Sequence, residues 1–410
     1  MKVRHLILFF LFISVTSFTS NGSTSPIRTS KKAQLAFYKM IGGNGFDAAN
    51  FLIETRDGNY ILGGRSNSYS NGNMNMNVVK VSPSGNVIWN RNYGEQESEE
   101  AYDGIACEDG GYIFVGYSDS FGAGSDMKDM WVVKTDAEGT KTWAKTYGTK
   151  TSIDEAHSIV ASEDGGYLIL GSTLSLANGK KSISLLKIDA SGNKIWQKDF
   201  GGEKSTEANQ LIKTDTGYAI IGSTEAKGHG KWDIWLIAID KEGNKTWDKT
   251  YGGADNEMAN SIKIMPDGSF ILVGYTYTFA EGSLDAWIIK TDKTGKKLWD
   301  KAIGGLSTDE AFGIAFNDKN EIIVAGYTDI YEPDEYFNNI SPLENNILLV
   351  KFDAEGEEVW QRSIGGNKSQ SAKGIIATAD GGFLLGGYTN ESDEEKSTDM
   401  LFLKVNDKGE

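Results

Sequence analysis

The sequence predicts an all-β fold, a seven-bladed β-propeller with four antiparallel strands in each blade. Three observations lead to this prediction. A tryptophan motif recurs about every 52 residues, each repeat contains four short strand-like segments, and the two ends of the chain together supply one further repeat. A fixed period of this length is typical of propellers and solenoids. Four strands repeated radially form a propeller blade.

The recurring motif has the form D-x-x-G-x-x-x-W, and a glycine follows five residues after each tryptophan. An Asp-Gly-Gly-Tyr type turn comes next in most repeats. Because the tryptophan occurs once per repeat at one position, we predict a structural role in packing. The residues assigned this role are Phe37, Trp89, Trp143, Trp196, Trp247, Trp299 and Trp360.

Within one repeat the pattern is that of strands. In residues 251–302 four short runs are rich in β-branched or aromatic residues and are bounded by Gly, Asp or Asn. These runs are Met258–Ile264, Phe270–Thr276, Ala286–Thr291 and Lys297–Ala302. The apolar residues show no sustained helical period, so no helices are expected. The repeats begin at about residues 41, 93, 147, 200, 251, 303 and 364.

The two ends of the chain predict closure of the ring. The seventh repeat supplies only three strands before the chain stops. A strand-like segment from Gln34 to Met40 precedes the first repeat, and Phe37 stands five residues before Gly42, where other repeats have tryptophan. We therefore expect the N-terminal strand to complete the last blade and to remove its exposed edge.

Composition excludes several classes of protein. The chain has 49 glycines and 5 prolines, which fits repeated tight turns between strands whose backbone donors are needed for pairing. A single cysteine excludes an intramolecular disulfide, and three histidines leave little for a metal site. The net charge of −16 argues against nucleic-acid binding. No cofactor is predicted, calcium binding is left open, and a monomer is expected.

The first 20 residues have the pattern of a signal peptide. Lys2 and Arg4 precede a short apolar run from Leu6 to Val15, which is too short to span a bilayer. Residues 21–33 read as a flexible linker, and residues 34–410 as a single propeller. No cysteine follows the apolar run to carry a lipid anchor. We therefore expect a secreted or periplasmic protein without a transmembrane segment.

These motifs resemble those of a known group of proteins. The D-x-x-G-x-x-x-W strand and the following Gly-Gly are similar to the tryptophan-docking, quinoprotein-like and kelch-like repeats of exported bacterial β-propellers, some of which carry lectin-like labels. The resemblance covers residues 34–410 and implies the propeller fold. It leaves function open, because propellers serve as enzymes, lectins and assembly scaffolds.

Turn lengths predict two different faces of the ring. Short turns join the first strand to the second and the third to the fourth, whereas the other connections are longer and variable. The antiparallel order places all long connections on one face, which we call the long-loop face, and variable loops on a scaffold usually carry function.

Two sets of candidate ligand-binding residues lie on this face. Glutamates near the start of the innermost strand in four repeats predict an acidic rim at the channel mouth that could bind a cation or a basic partner, although solvated surface charge or hydrogen bonding at the strand end explains them more simply. The longest loop adds aromatic side chains. The candidates are Glu100, Glu155, Glu207, Glu310, Tyr331, Tyr336 and Phe337. A short polar residue also opens every third strand, which turn capping explains without a ligand.

The sequence favours a non-catalytic binding module for carbohydrate or a cell-surface protein. One alternative is an extracellular enzyme that acts on polysaccharide through carboxylates at the channel mouth. A structural or assembly scaffold is the other. Catalytic residues remain unassigned, because His157 and His229 lie in no recognisable catalytic motif.

Overall fold

The computed structural model describes residues 37–70, 73–122, 127–330, 344–366, 368–391 and 397–410. These residues form seven antiparallel sheets of four strands each, which confirms the predicted seven-bladed propeller. In this part of the chain no helix is long and apolar enough to cross a membrane. Three predicted site residues, Tyr331, Tyr336 and Phe337, lie outside the described residues.

The strands follow in chain order. The first strand is β1 (Phe37–Ile41). Blade 1 contains β2 (Asp47–Glu54), β3 (Tyr60–Ser66), β4 (Asn75–Val81) and β5 (Val87–Tyr93). Blade 2 contains β6 (Glu99–Ala106), β7 (Tyr112–Ser118), β8 (Asp129–Thr135) and β9 (Lys141–Tyr147). Blade 3 contains β10 (Ser152–Ala161), β11 (Tyr167–Ser175), β12 (Lys181–Ile188) and β13 (Lys194–Phe200).

The remaining blades repeat this order. Blade 4 contains β14 (Thr206–Thr214), β15 (Gly217–Thr224), β16 (Asp233–Ile239) and β17 (Lys245–Tyr251). Blade 5 contains β18 (Glu257–Ile264), β19 (Phe270–Thr276), β20 (Asp285–Thr291) and β21 (Lys297–Ile303). Blade 6 contains β22 (Asp309–Phe316), β23 (Ile322–Ile330), β24 (Glu344–Phe352) and β25 (Glu358–Ile364). Blade 7 contains β26 (Gln370–Ala377), β27 (Phe383–Thr389) and β28 (Asp399–Val405).

The N-terminal strand completes blade 7, as predicted. β1 pairs antiparallel with β28, with Phe37 opposite Lys404 and Ile41 opposite Met400. The Phe37 ring also packs against Phe402, with ring centroids 5.5 Å apart. The ends of the chain therefore hold the ring closed through a sheet that contains strands from both termini.

The first strands of the seven blades line the centre of the ring. Each contacts the first strand of the next blade, and β26 contacts β2 to close the circle. The core lies between blades. For example, Ile271 and Ile288 of blade 5 pack with Ile314 and Val324 of blade 6. Because each sheet buries both faces against its neighbours, its inner strands are almost continuously apolar.

Each motif tryptophan packs against the turn of the next blade. The Trp247 ring lies so close to Gly295 that a Cβ there would stand 2.7 Å from it, and Gly295 has a φ of +78°. The Tyr251 hydroxyl donates a hydrogen bond to the Gly295 carbonyl at 2.6 Å. The corresponding contacts are Phe37 with Gly85, Trp89 with Gly139, Trp143 with Gly192, Trp196 with Gly243, Trp299 with Gly356 and Trp360 with Gly409. The motif thus joins neighbouring blades all round the ring.

A β-bulge interrupts every first strand directly after a fully buried alanine. In blade 2 the pairing shifts between Ala101 and Asp103, so Tyr102 has no partner of its own on β7. Ala101 faces Gly116, where a Cβ would stand 1.8 Å from the Glu100 carbonyl oxygen. The same alanine and glycine pairing occurs in all seven blades: Ala49 with Gly64, Ala101 with Gly116, Ala156 with Gly171, Ala208 with Gly222, Ala259 with Gly274, Ala311 with Gly326 and Ala372 with Gly387.

Candidate functional site at the channel mouth

Two rings of side chains line the channel near the long-loop face. They precede and follow the buried alanine of each first strand. We call the residues before the alanine the mouth ring: Ala48, Glu100, Glu155, Glu207, Met258, Glu310 and Ser371. We call the bulge residues after the alanine the second ring: Asn50, Tyr102, His157, Asn209, Asn260, Phe312 and Lys373. Alternation along a strand puts both rings on the side opposite the alanine.

The structure places all four predicted glutamates in the mouth ring, and three of them form ion pairs. Arg65 Nη1 lies 3.2 Å from Glu100, Lys128 Nζ lies 2.7 Å from Glu155, and Lys181 Nζ lies 2.5 Å from Glu207. Each cation comes from the blade before that of its glutamate. The four blades from blade 1 to blade 4 therefore present alternating positive and negative groups, which we call the charged arc.

The fourth glutamate, Glu310, has a different environment. Asn260 Nδ2 donates a hydrogen bond to Glu310 Oε1 at 2.9 Å, and the phenol of Tyr327 lies beside the same carboxyl. Burial raises the pKa of Glu310. Asn50 makes the corresponding contact with Glu100 at 2.8 Å. Second-ring amides thus hold mouth-ring carboxylates of the next blade in place.

The second ring is chemically mixed. Tyr102 and His157 stack with ring centroids 5.2 Å apart. Burial lowers the pKa of His157, and its Nε2 is buried without a hydrogen-bond partner in the described part of the chain. On the other side of the channel, Lys373 Nζ lies 3.1 Å from the centroid of the Phe312 ring. Burial lowers the pKa of Lys373 to about 8.

Blades 5 and 6 present an aromatic arc instead of charged pairs. At the mouth, Tyr275 meets Tyr277 edge to face with ring centroids 5.9 Å apart. Phe279 follows and packs over Trp287 at 5.2 Å. Leu306, in the connection between blades 5 and 6, is the most exposed large apolar side chain described, at 84%. Tyr277, Phe279 and Leu306 are therefore exposed apolar side chains in the connections of this region.

The polar residues near the start of the third strands contact the backbone of neighbouring connections. Each lies against the glycine that follows the fourth strand of its own blade. Asp233 Oδ2 accepts backbone hydrogen bonds from His229 and Gly230, at 3.1 and 3.3 Å. The seven pairs are Asn75 with Gly94, Asp129 with Gly148, Ser182 with Gly201, Asp233 with Gly252, Asp285 with Gly304, Asn346 with Gly365 and Asp399 with Gly42. These side chains support loops rather than project from them.

The arrangement suits recognition more clearly than metal binding. Among the described residues no group of three or more His, Cys, Asp or Glu side chains is placed to hold a metal ion. The mouth-ring carboxylates already accept from cations, amides or a phenol.

The prediction from sequence missed the second ring and the cations of the charged arc. A usable signal exists for the second ring, since each member directly follows the alanine that pairs with a glycine of the second strand. No comparable signal marks the cations, because Arg65, Lys128 and Lys181 stand at different distances from their glutamates in the sequence.

Comparisons with known proteins support the fold. No protein-family model matches the sequence. The regulatory protein FlaEY of Caulobacter vibrioides is 24% identical over 161 residues, which are 33% of this chain and 17% of FlaEY. The matched segment therefore spans about a sixth of that relative.

Two solved structures share the architecture. The WD40 domain of Neurospora crassa Pan2 superposes with a TM-score of 0.52 at 9% identity, covering 91% of this chain and 97% of that chain. A puromycin hydrolase S511A mutant, solved in complex with PGG, gives a TM-score of 0.53 at 10% identity and covers 85% of this chain and 51% of its own. At such identities the likeness shows the propeller fold alone. Proteins of this fold have mixed functions, so the function must be argued from the site.

Proposed function

We propose that this chain is an exported, non-catalytic binding module that holds a polypeptide segment across the channel mouth on its long-loop face. The observation that carries the proposal is the charged arc. Opposite charges alternate there around blades 1 to 4, in ion pairs that join neighbouring blades. Polypeptides carry charges of both signs at short intervals, and electrostatic complementarity of this kind gives specificity.

The aromatic arc supports the same conclusion. Tyr277, Phe279 and Leu306 are 41%, 44% and 84% exposed on blades 5 and 6. Aromatic and apolar anchors beside a polar rim are typical of protein interfaces. A polypeptide that crosses the mouth would place charged side chains on one arc and apolar side chains on the other.

The state of the carboxylates supports a binding role over catalysis. A general acid or base must exchange protons with the substrate, so its carboxyl must be free to reach the reacting atom. Glu100, Glu155 and Glu207 are held in ion pairs, and Glu310 is held by Asn260. The same contacts occupy oxygen atoms that would otherwise accept sugar hydroxyls.

Selection from a displayed random peptide library, in parallel with a glycan array, tests the proposal. A variant with Lys128→Ala and Lys181→Ala breaks two pairs of the charged arc. The control is Lys241→Ala, which breaks the exposed pair with Glu163 on the opposite face. We expect the wild type and the control to enrich peptides from the library. The variant with Lys128→Ala and Lys181→Ala should enrich none. Binding to glycans on the array, without enrichment of any peptide, would overturn the proposal.

A further inference from the structure

Lys373 differs from the other cations of the channel mouth. Arg65, Lys128 and Lys181 each lie within 3.2 Å of a glutamate. Lys373 has no carboxylate within ion-pair distance among the described residues, and its ammonium lies over the ring of Phe312 instead. A cation on an aromatic face is stabilised on that side only, and its remaining donors stay available.

Blade 7 also departs from the charge pattern of the rings. Where blades 2, 3, 4 and 6 have glutamate in the mouth ring, blade 7 has Ser371, and its second-ring residue is Lys373. Tyr388 stands directly opposite Ser371 on β27. This blade thus has a hydroxyl at the mouth-ring position where four other blades have glutamate, and it has the one cation of the second ring.

The hydroxyls add hydrogen-bond donors to the cation. Burial raises the pKa of Tyr388, so its phenol stays protonated at neutral pH. Ser371 Oγ is buried without a hydrogen-bond partner among the described residues, so its O–H is available to donate, and the O–H of Tyr388 is a second donor beside it. Ser371 and Lys373 stand two residues apart on the same side of β26, and an ammonium and a hydroxyl on one side of a strand are donors that suit a carboxylate.

The nearest acid does not neutralise Lys373 completely. Glu310 favours the charged form of Lys373, yet burial outweighs this effect and the pKa of Lys373 still falls to about 8. One oxygen of Glu310 is taken by Asn260. A second carboxylate, brought by a ligand, would supply the counter-charge that the channel wall leaves incomplete.

We propose that Lys373, Ser371 and Tyr388 form a carboxylate-binding site, which receives an acidic side chain or the C-terminus of the bound polypeptide. The proposal rests on the proposed function for the class of ligand. The site itself stands on blade 7, with Ser371 at the level of the charged arc and Lys373 one ring further from the mouth. It gives the ligand an anchor point and fixes its direction across the mouth.

The test measures the titration of the Lys373 side-chain amine, and it does not require the polypeptide ligand to be identified. Lysines of the full chain are dimethylated with ¹³C-formaldehyde, which keeps their charge, and their titration is followed by NMR. Lys373→Arg assigns the resonance. Lys263 is the internal control, since it also lies on an innermost strand and burial also lowers its pKa.

A bound carboxylate stabilises the ammonium form. We expect the midpoint of Lys373 to rise from about 8 to at least about 9 in sodium acetate, compared with sodium chloride of equal ionic strength. Lys263 should keep its midpoint. Equal midpoints of Lys373 in the two salts, or an equal rise at Lys263, would overturn the carboxylate site.

Two further probes separate this site from the proposed function. We expect N-acetylglutamate amide to raise the midpoint of Lys373 and the matching glutamine compound to leave it unchanged. A larger rise with glucuronate than with N-acetylglutamate amide would assign the carboxylate to a sugar. That result would contradict a polypeptide ligand while it leaves the carboxylate site intact.

Discussion

The carbonyl of Glu100 lies against the backbone of Gly116, at a point that a side chain on Gly116 would have to occupy. The contact lies directly before the bulge, which leaves Tyr102 without a partner on β7. One glycine of the second strand thus makes room for the backbone of the first strand just before the bulge.

Gly116→Ala should therefore damage both the fold and the site. The added Cβ would meet backbone only 1.8 Å away, and backbone cannot rotate aside. We expect a loss of about 3 kcal/mol or more in the free energy of unfolding, measured by urea denaturation. Gly305→Ala is the control, because a Cβ there has no neighbour within 4 Å and, like Gly116, Gly305 has no positive φ. A loss no larger than that of the control would contradict this role for Gly116.

The docking of Trp247 on Gly295 makes a second prediction. Gly295→Ala and Gly165→Ala both introduce a side chain at positive φ, at +78° and +84°, so both have a similar backbone cost. Of these two positions, only Gly295 has an indole ring where the new Cβ would stand, whereas a Cβ at Gly165 has no neighbour within 4 Å. We expect Gly295→Ala to cost about 1–3 kcal/mol more than Gly165→Ala in urea denaturation. Equal costs would mean that the tryptophan contact adds no packing constraint.

Closure of the ring can be tested by truncation. A chain that starts at Gly42 lacks β1, so β28 loses its outer partner and Phe402 loses the contact with Phe37. We expect a clearly lower melting temperature and a tendency to aggregate through the open edge. A chain that starts at Gln34 keeps β1 and serves as the control. If the two chains have the same melting temperature, closure by β1 does not stabilise the ring.

Asp309 should make stability depend on pH. Burial, together with the nearby Asp285 and Asp329, raises the pKa of Asp309 to about 7. The folded chain therefore binds this proton more tightly than the unfolded chain, whose Asp has a pKa of about 3.9. The contribution of Asp309 to stability is greatest below about pH 4 and declines as the pH rises to about 7.

Asp309→Asn removes this titration. The quantity to compare is the free energy of unfolding of Asp309→Asn minus that of the wild type. We expect this difference to be more favourable to the variant at pH 8 than at pH 4, by on the order of 1 kcal/mol or more. The exposed turn residue Asp215 gives the control variant Asp215→Asn. Unfolding free energies measured across this range should differ between the two variants. A difference from wild type that is constant with pH would show that Asp309 does not titrate in this window.

The periodic features of this fold were predictable because they are encoded locally. Tryptophan, glycine and turn residues recur at fixed spacing, and the strands predicted for residues 251–302 agree with the structure to within one residue. Even ring closure followed from the position of Phe37 relative to Gly42. Each of these signals reports on contacts that are the same in every blade.

The site was only partly predictable because it depends on departures from the repeat. The mouth-ring glutamates could be located, but their partners come from other blades and have no periodic signal, as Lys128 and Glu155 show. Lys373 escaped notice for another reason. Its sequence position places it two residues after Ser371, on the same side of the strand, but a single lysine on one blade carries no repeated signal that would mark it as a site residue.

The affinity of a selected peptide for charge-swapped variants tests the proposed binding site most directly. Lys128→Glu with Glu155→Lys keeps an ion pair but reverses the charges of one of the three pairs in the charged arc. Lys241→Glu with Glu163→Lys makes the same exchange on the opposite face. By calorimetry we expect the first variant to bind at least about tenfold more weakly, a change of about 1.4 kcal/mol, and the second to match the wild type. Equal affinity for all three proteins would contradict recognition at the channel mouth.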